Sequence, residues 1–349
     1  MVEVKELKFY NPYKVITRNA VLNMIIGPRG YGKTYGYKKF VINKAIKGEG
    51  KFIYMRRKKA EVDEIVDFFG DLRKDKSFVS RGINFLKKGN ELYYSDELDE
   101  NEKPIWKHIG SIFALSTQQN MKSREFGEYK YLIYDEWLPL TASEFLRQEP
   151  KKFFSALDTV FRHREFHAYL IGNSSILFNP YFEYLNIYPN LSKEFTYNSE
   201  KSILIQVISS SEWSETRSQT PLGRLIENTD YADYANNNKF EDDDESLVEN
   251  KTGNANNIMV LKLDGYIVGV WFDRNTGKVY FSEDYNPSVR DKYAFDYDEL
   301  DNEFQSYRNL FESPYIRILK QARIEGKIRF TSKRARAHAR AITNRIYLL

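Results

Sequence analysis

The 349-residue chain contains no cysteine and only four histidines. The first absence excludes disulfides, thiolate catalysis and cysteine-based zinc sites, and the second leaves little material for a histidine metal centre. No apolar run approaches the roughly 18 residues that a membrane span needs. The opening MVEVKELKFYNP is charged and lacks the apolar segment of a secretory signal. A soluble, intracellular protein with no membrane partner is the expectation. An excess of one charge is missing too. Lys and Arg number 53 against 49 Asp and Glu, and the resulting +4 names no partner by itself.

What is present is enough apolar residue, 42%, for a sizeable core, in a length that suits one large or two medium domains. The 26 tyrosines and 24 phenylalanines read more simply as aromatic core than as nucleic-acid contacts. Charge is unevenly spread. Residues 201–300 carry 10 Lys/Arg against 19 Asp/Glu, whereas 301–349 carry 11 against 4. A basic tail behind an acidic middle is an electrostatic footprint worth testing.

VLNMII (21–26) predicts a buried strand ended by Gly27, and KTYGYKKFVINKAIK (33–47) a helix closed by Gly48. KFIYMRR (51–57) predicts a second strand and KKAEVDEIVDFF (58–69) a second helix. FVSRGINFLKKGNELYYS (78–95) alternates around Gly-Asn, the pattern of a hairpin-like insertion. SIFALS (111–116), YLIYDE (131–136) and HAYLIGNSS (167–175) predict further strands; 143–165 predicts a mostly helical stretch that Pro150 interrupts or restarts. Such alternation builds a parallel sheet flanked by helices. From Ser209 to Asn257 the chain is rich in Ser, Asn, Asp and Glu, includes EDDDE (241–245), and reads as linker and surface loop. Residues 258–284 predict three strands and the regions near 298–312 and 314–326 two helices, which together make a second, smaller α+β domain.

GPRGYGKT (27–34) fits the phosphate-loop pattern G-x-x-x-x-G-K-[ST]. Chance alone gives such a match on the order of once in a hundred chains of this size. Here a predicted strand precedes it and a predicted helix follows, which is the context the chemistry requires. Backbone N–H groups around Gly30, Tyr31 and Gly32 would cradle phosphates, Lys33 would reach the β- and γ-phosphates, and Thr34 would ligate Mg²⁺. Gly27 and Arg29 complete the nucleotide-binding set. YLIYDEW (131–137) is an apolar strand ending in two carboxylates. Asp135 would support Mg²⁺ in its outer shell and Glu136 would activate the attacking water. Asn173, at the polar end of its strand, would sit near the γ-phosphate or merely terminate the strand. VFRHRE (160–165) offers Arg162 and Arg164, either solvated or reaching a neighbouring subunit's γ-phosphate. In MRRKK (55–59), Arg56, Arg57, Lys58 and Lys59 either touch DNA or a neighbour's nucleotide, or remain solvated. Asp264, Asp273 and Asp284 are scattered acids without the clustering that two-metal nuclease chemistry favours. The tail TSKRARAHARAITNR (331–345) carries five positive charges and no acid, which favours phosphate-backbone binding over a solvated helix face.

Together these stretches resemble the DNA-packaging motor ATPases of phi29-like phages. FYNPYKV (9–15), GPRGYGKT, FIYMRRKK (52–59), YLIYDEW, LDTVFRHRE (157–165), NPYF (179–182), GRLI (223–226) and LDGYIVGVWFD (263–273) are similar to family segments in the same order, with Pro28 varying. The resemblance implies a RecA-like ASCE P-loop ATPase domain over 1–198, linker and polar loops over 199–257, and an RNase H-like, vestigial nuclease domain over 258–349. It implies ATP and Mg²⁺ as cofactors, Arg162 as a finger acting in trans, and a homo-oligomeric ring, typically of five subunits. It implies double-stranded DNA and the portal of an empty prohead as partners in the host cytoplasm, with a structural RNA in some relatives. Lys122 and Arg124, in the polar loop before the DE strand, become candidates for the DNA pore. Rival readings are a terminase with an active nuclease, a nucleotide-binding assembly protein that does not turn over, and a helicase.

Overall fold

The computed structural model describes residues 9–141, 144–208, 211–227, 229 and 246–343. The EDDDE run and Arg345 lie outside the described residues. Contacts divide the chain into two compact units, Met1–Pro139 with Glu149–Ser174 and Tyr184–Lys239, and Leu140–Gln148 with Ser175–Glu183 and Phe240–Leu349.

The first unit is built on β1 (Leu22–Ile26), β2 (Lys51–Arg56), β3 (Asn84–Lys88), β4 (Glu91–Ser95), β5 (Lys107–Ala114), β6 (Tyr129–Asp135), β7 (His167–Gly172), β8 (Phe195–Asn198) and β9 (Ile203–Val207). They form one nine-stranded sheet in the order β3-β4-β5-β2-β6-β7-β1-β9-β8. From β5 to β9 every pairing is parallel. The hairpin β3–β4 and strand β8 add antiparallel edges. All five positions of β1 are buried, as a continuous apolar strand inside a parallel sheet must be. The helix Lys33–Ile46 follows the loop after β1 and packs Tyr37, Phe40 and Val41 into the core. The helix Glu149–Phe161 buries Phe153, Ala156, Leu157, Val160 and Phe161, the spacing of one helical face. Pro150 stands in the first turn of that helix, where its missing N–H costs nothing.

Three expectations change. The segment 199–257 was expected to be linker, yet Ile203, Leu204 and Ile205 of β9 are buried against β1. Their apolar run is diluted by polar neighbours in composition. The helix expected over 58–69 is only Lys59–Asp63. Phe68 and Phe69 are buried from a loop rather than from a helix face. The helix expected near 298–312 is replaced by two short 3₁₀ turns, Tyr297–Glu299 and Tyr307–Glu312, around β14 (Gln305–Ser306).

The second unit contains β10 (Asn256–Leu263), β11 (Tyr266–Phe272), β12 (Val279–Ser282), β13 (Lys292–Ala294), β14 and β15 (Ile328–Phe330), in the order β14-β13-β10-β11-β12-β15. β10 to β12 form an antiparallel meander, and β13 and β14 extend it in parallel from β10. A meander extended in parallel from its first strand is the arrangement that an RNase H-like domain requires. The helices Tyr315–Ile324 and Lys333–Thr343 contribute Ile316, Leu319, Ala339 and Ile342 to the core of this sheet.

Candidate nucleotide-binding site

Parallel strands place their C-terminal ends on one edge, and ligands of open α/β sheets gather there. On this edge β1 runs into the phosphate loop, β6 ends at Asp135, and β7 leads to Asn173. β7 lies between β1 and β6, so Asn173 sits between the loop and the paired acids. One concavity is lined by Arg29, Lys33, Thr34, Asp135, Glu136 and Asn173. The loop curls because Gly30 and Gly32 take φ of +79° and +86°, left-handed values that a Cβ would strain.

Lys33 is buried, and its ammonium donates to the carbonyls of Gly27 (2.8 Å) and Pro28 (2.7 Å) and to Asn173 Oδ1 (3.3 Å). Burial pushes its pKa down to about 7; Asp135 opposes the shift and Arg217 adds to it. The Thr34 hydroxyl donates to Asp135 Oδ1 at 2.8 Å, and the Tyr54 hydroxyl donates to Asp135 Oδ2 at 2.5 Å. Both carboxylate oxygens are thus fixed. A hydroxyl and a carboxylate oxygen facing each other are the hard donors that Mg²⁺ accepts alongside water and phosphate. Among the described residues no three His, Cys, Asp or Glu side chains gather into a metal cage.

Glu136 has a left-handed backbone (φ 54°) directly after β6. Its carboxylate accepts from Arg56 Nη2 at 2.6 Å, and Arg56 Nε pairs with Glu61 at 3.2 Å. Arg56, expected to meet DNA or a neighbour, therefore holds its own chain's Glu136. Arg57 is buried. It pairs with Glu149 at 2.8 Å and donates to the carbonyls of Glu136 and Trp137, while Tyr134 donates to the second Glu149 oxygen at 2.8 Å. The base of the DE turn is thereby tied to the start of the helix Glu149–Phe161.

Arg162 ends that helix with φ 53° and is exposed. Among the described residues its guanidinium has no ion-pair or hydrogen-bond partner, in contrast to Arg164. Arg164 donates to the carbonyls of Phe126 (2.6 Å), Gly127 and Val160, and so serves the fold. Arg162 precedes β7, at the opposite edge of the sheet from the phosphate loop. A six-residue strand separates them by about 20 Å. Lys59 pairs with Asp63 at 2.5 Å. Arg124 pairs with Glu91 at 2.6 Å and Lys122 is exposed; neither is brought to the concavity. In the tail, Arg336 is buried and Arg334 pairs with Glu183 and Glu283. The expected free basic face is in large part a packing face, because Ala335, Ala337 and Ala339 are buried there.

Arg57, expected with its basic neighbours to meet DNA or a neighbour's nucleotide or to be solvated, is instead buried in its own chain, and Tyr54 and Glu149 carry no separate signal, because these roles depend on β2 lying beside β6. The sequence also hid Trp213 and Arg217, on the helix Ser211–Ser218, inside a stretch that looked like linker.

A profile of the podovirus DNA encapsidation protein (Gp16) family matches residues 4–347. The chain belongs to this family. Encapsidation of phage DNA is accordingly its task. The chain is similar to the DNA packaging protein of Bacillus phage phi29, with 29% identity over 327 residues, covering 93% of this chain and 94% of the relative. It is 30% identical to the DNA packaging protein of Bacillus phage B103 over 321 residues, 91% and 95% of the two chains. Among solved structures it resembles a chain of the phi29 viral genome packaging motor assembly. That match has a TM-score of 0.69 and 28% identity, and it covers 98% of this chain and all of the other. The N-terminal domain of the phi29 DNA packaging ATPase matches 59% of this chain and 98% of its own length, at 30% identity and a TM-score of 0.51. The nine-stranded unit thus has the RecA-like ATPase fold of the family.

Proposed function

We propose that this encapsidation protein is an ATP-driven translocase that draws double-stranded DNA into the prohead, hydrolysing ATP to ADP and phosphate. The observation that carries the reading is the meeting of Lys33, Thr34, Asp135, Glu136 and Asn173 at one sheet edge around one concavity. The loop N–H groups and Lys33 bind the β- and γ-phosphates. Thr34 and Asp135 hold Mg²⁺, which neutralises phosphate charge when bound. Glu136 takes the proton of the attacking water as its oxygen bonds to the γ-phosphorus and the bond to the β-phosphate oxygen breaks. To do so Glu136 must leave Arg56. Asn173 orients the water or the γ-phosphate.

Arg162 is too far from its own phosphate loop to serve it, which supports a role at a neighbour's nucleotide. Such a role requires a homo-oligomer, in the family a ring typically of five. The portal is the docking partner, and the relative seen in a motor assembly supports that placement; a structural RNA is a further partner in some relatives. DNA is held through its phosphates, because a packaging motor reads no single sequence. Lys122 and Arg124 remain proposed contacts to the duplex, and Lys59 to the duplex or a neighbour.

Glu136→Gln tests the chemistry. ATP binding should persist while DNA-stimulated hydrolysis falls about 10²–10⁴-fold. Full hydrolysis by this variant would remove Glu136 from the mechanism. No observation favours the nuclease reading. Asp273 accepts from Thr252 at 2.7 Å and from the Asn275 N–H at 2.8 Å, and Asp284 pairs with Lys251 at 2.5 Å.

A further inference from the structure

The helix Ser211–Ser218 presses on the phosphate loop. The Trp213 ring lies 5.1 Å from Tyr31 and 6.2 Å from Phe9. A Cβ built on Gly30 would stand at ordinary contact distance from both, 3.7 Å from Trp213 and 3.8 Å from the Arg217 guanidinium, so the two side chains lie directly over the loop. Arg217 donates to the carbonyl of Arg29. Among the described residues no carboxylate pairs with Arg217 or with Arg29. The charge of Arg217 acts on Lys33, and Arg29 lines the same concavity as Lys33, so an anion bound there meets an excess of positive charge.

The carbonyl that Arg217 meets belongs to the peptide unit whose other end is the Gly30 N–H. Phosphate loops bind by presenting such N–H groups to an anion. A cation bonded to the carbonyl polarises the unit and strengthens the N–H as a donor. Packing alone does not account for the arginine, because Trp213 already holds the helix to Tyr31 and Phe9. We propose that Arg217 is a positioning residue of the nucleotide site, acting through the Arg29–Gly30 peptide to raise the loop's affinity for a nucleoside triphosphate within the same chain. This rests on the nucleotide reading above. Its charge acts most strongly on the more anionic ligand, so ATP gains more than ADP.

The test is equilibrium titration of fluorescent ATP and ADP analogues, with Mg²⁺, into the full-length protein and into Arg217→Gln and Arg217→Lys. Arg217→Gln should weaken ATP about tenfold or more, and ADP less, with the melting temperature unchanged. Arg217→Lys keeps the charge and should stay within about threefold of the unaltered protein. Unaltered ATP affinity in Arg217→Gln, or equal losses in both variants, would overturn the inference alone. Failure of the unaltered protein to bind either nucleotide would sink the nucleotide reading and this inference with it.

Discussion

Lys33 sits in a position that makes its own charge conditional. Burial lowers its pKa to about 7, and a bound triphosphate restores the charged form. The nucleotide complex therefore holds more protons than the free site between pH 7 and the raised pKa of the complex. Linkage then requires nucleotide affinity to be greatest below about pH 7 and to fall as pH rises, by up to about tenfold per unit. Calorimetric titration at pH 6.5 and 8.5 checks this through both affinity and proton uptake. A flat profile would mean that Lys33 is charged throughout. Tyr54 is a second residue whose effect is indirect. With one oxygen of Asp135 held by Thr34 and the other by Tyr54, Tyr54→Phe frees the carboxylate to rotate. The Mg²⁺ concentration needed for half-maximal hydrolysis should rise about tenfold, while the fold persists.

At the scale of elements, the helix Glu149–Phe161 links the DE turn to Arg162, and its first turn carries a buried charge. Glu149→Ala leaves Arg57 buried without its carboxylate and should cost about 3–5 kcal/mol in urea unfolding. Glu149→Gln keeps a hydrogen bond and should cost less. An exposed pair such as Lys59–Asp63 should cost under about 1 kcal/mol when broken, which makes it a suitable control. The elements around the site were legible where local chemistry and tertiary environment agree. β1 is an apolar run stopped by glycine, β6 an apolar run stopped by two acids, and both are fully surrounded strands. The hairpin β3–β4 announced itself through alternation and Gly89-Asn90. β9 did not, because a short apolar run, ILIQV, is set in a stretch whose overall composition is polar. Nor did the short extent of Lys59–Asp63, since loop aromatics reaching into a core mimic helical spacing. Tyr54 and Arg217 are illegible for a deeper reason. Their function is set by which strand or loop lies beside them, and adjacency across the fold is written in no single segment.

At the scale of the whole molecule, binding and hydrolysis separate. Arg162→Ala should leave nucleotide affinity of the isolated chain unchanged. In assembled rings it should lower hydrolysis about 10³-fold or more, the range known for arginine fingers. Rings mixed from Arg162→Ala and Glu136→Gln subunits sharpen the test. A site made of a normal phosphate loop facing a normal arginine should still fire where the two defects fall on the other sides of their subunits. Rings built only from these two kinds of subunit that show no hydrolysis above either variant alone would speak against action in trans.

The roughly 20 Å between Arg162 and its own phosphate loop has a consequence for counting. If Arg162 serves a neighbour, as proposed, each chain brings one half of two different sites, like a link with a hook at one end and an eye at the other. An open row of such links always ends in an empty eye on one side and an idle hook on the other. Only closure makes sites and chains equal in number. Turnover per chain should therefore climb gradually as a row lengthens, then jump when the last gap shuts, so that a ring announces its completion through its chemistry.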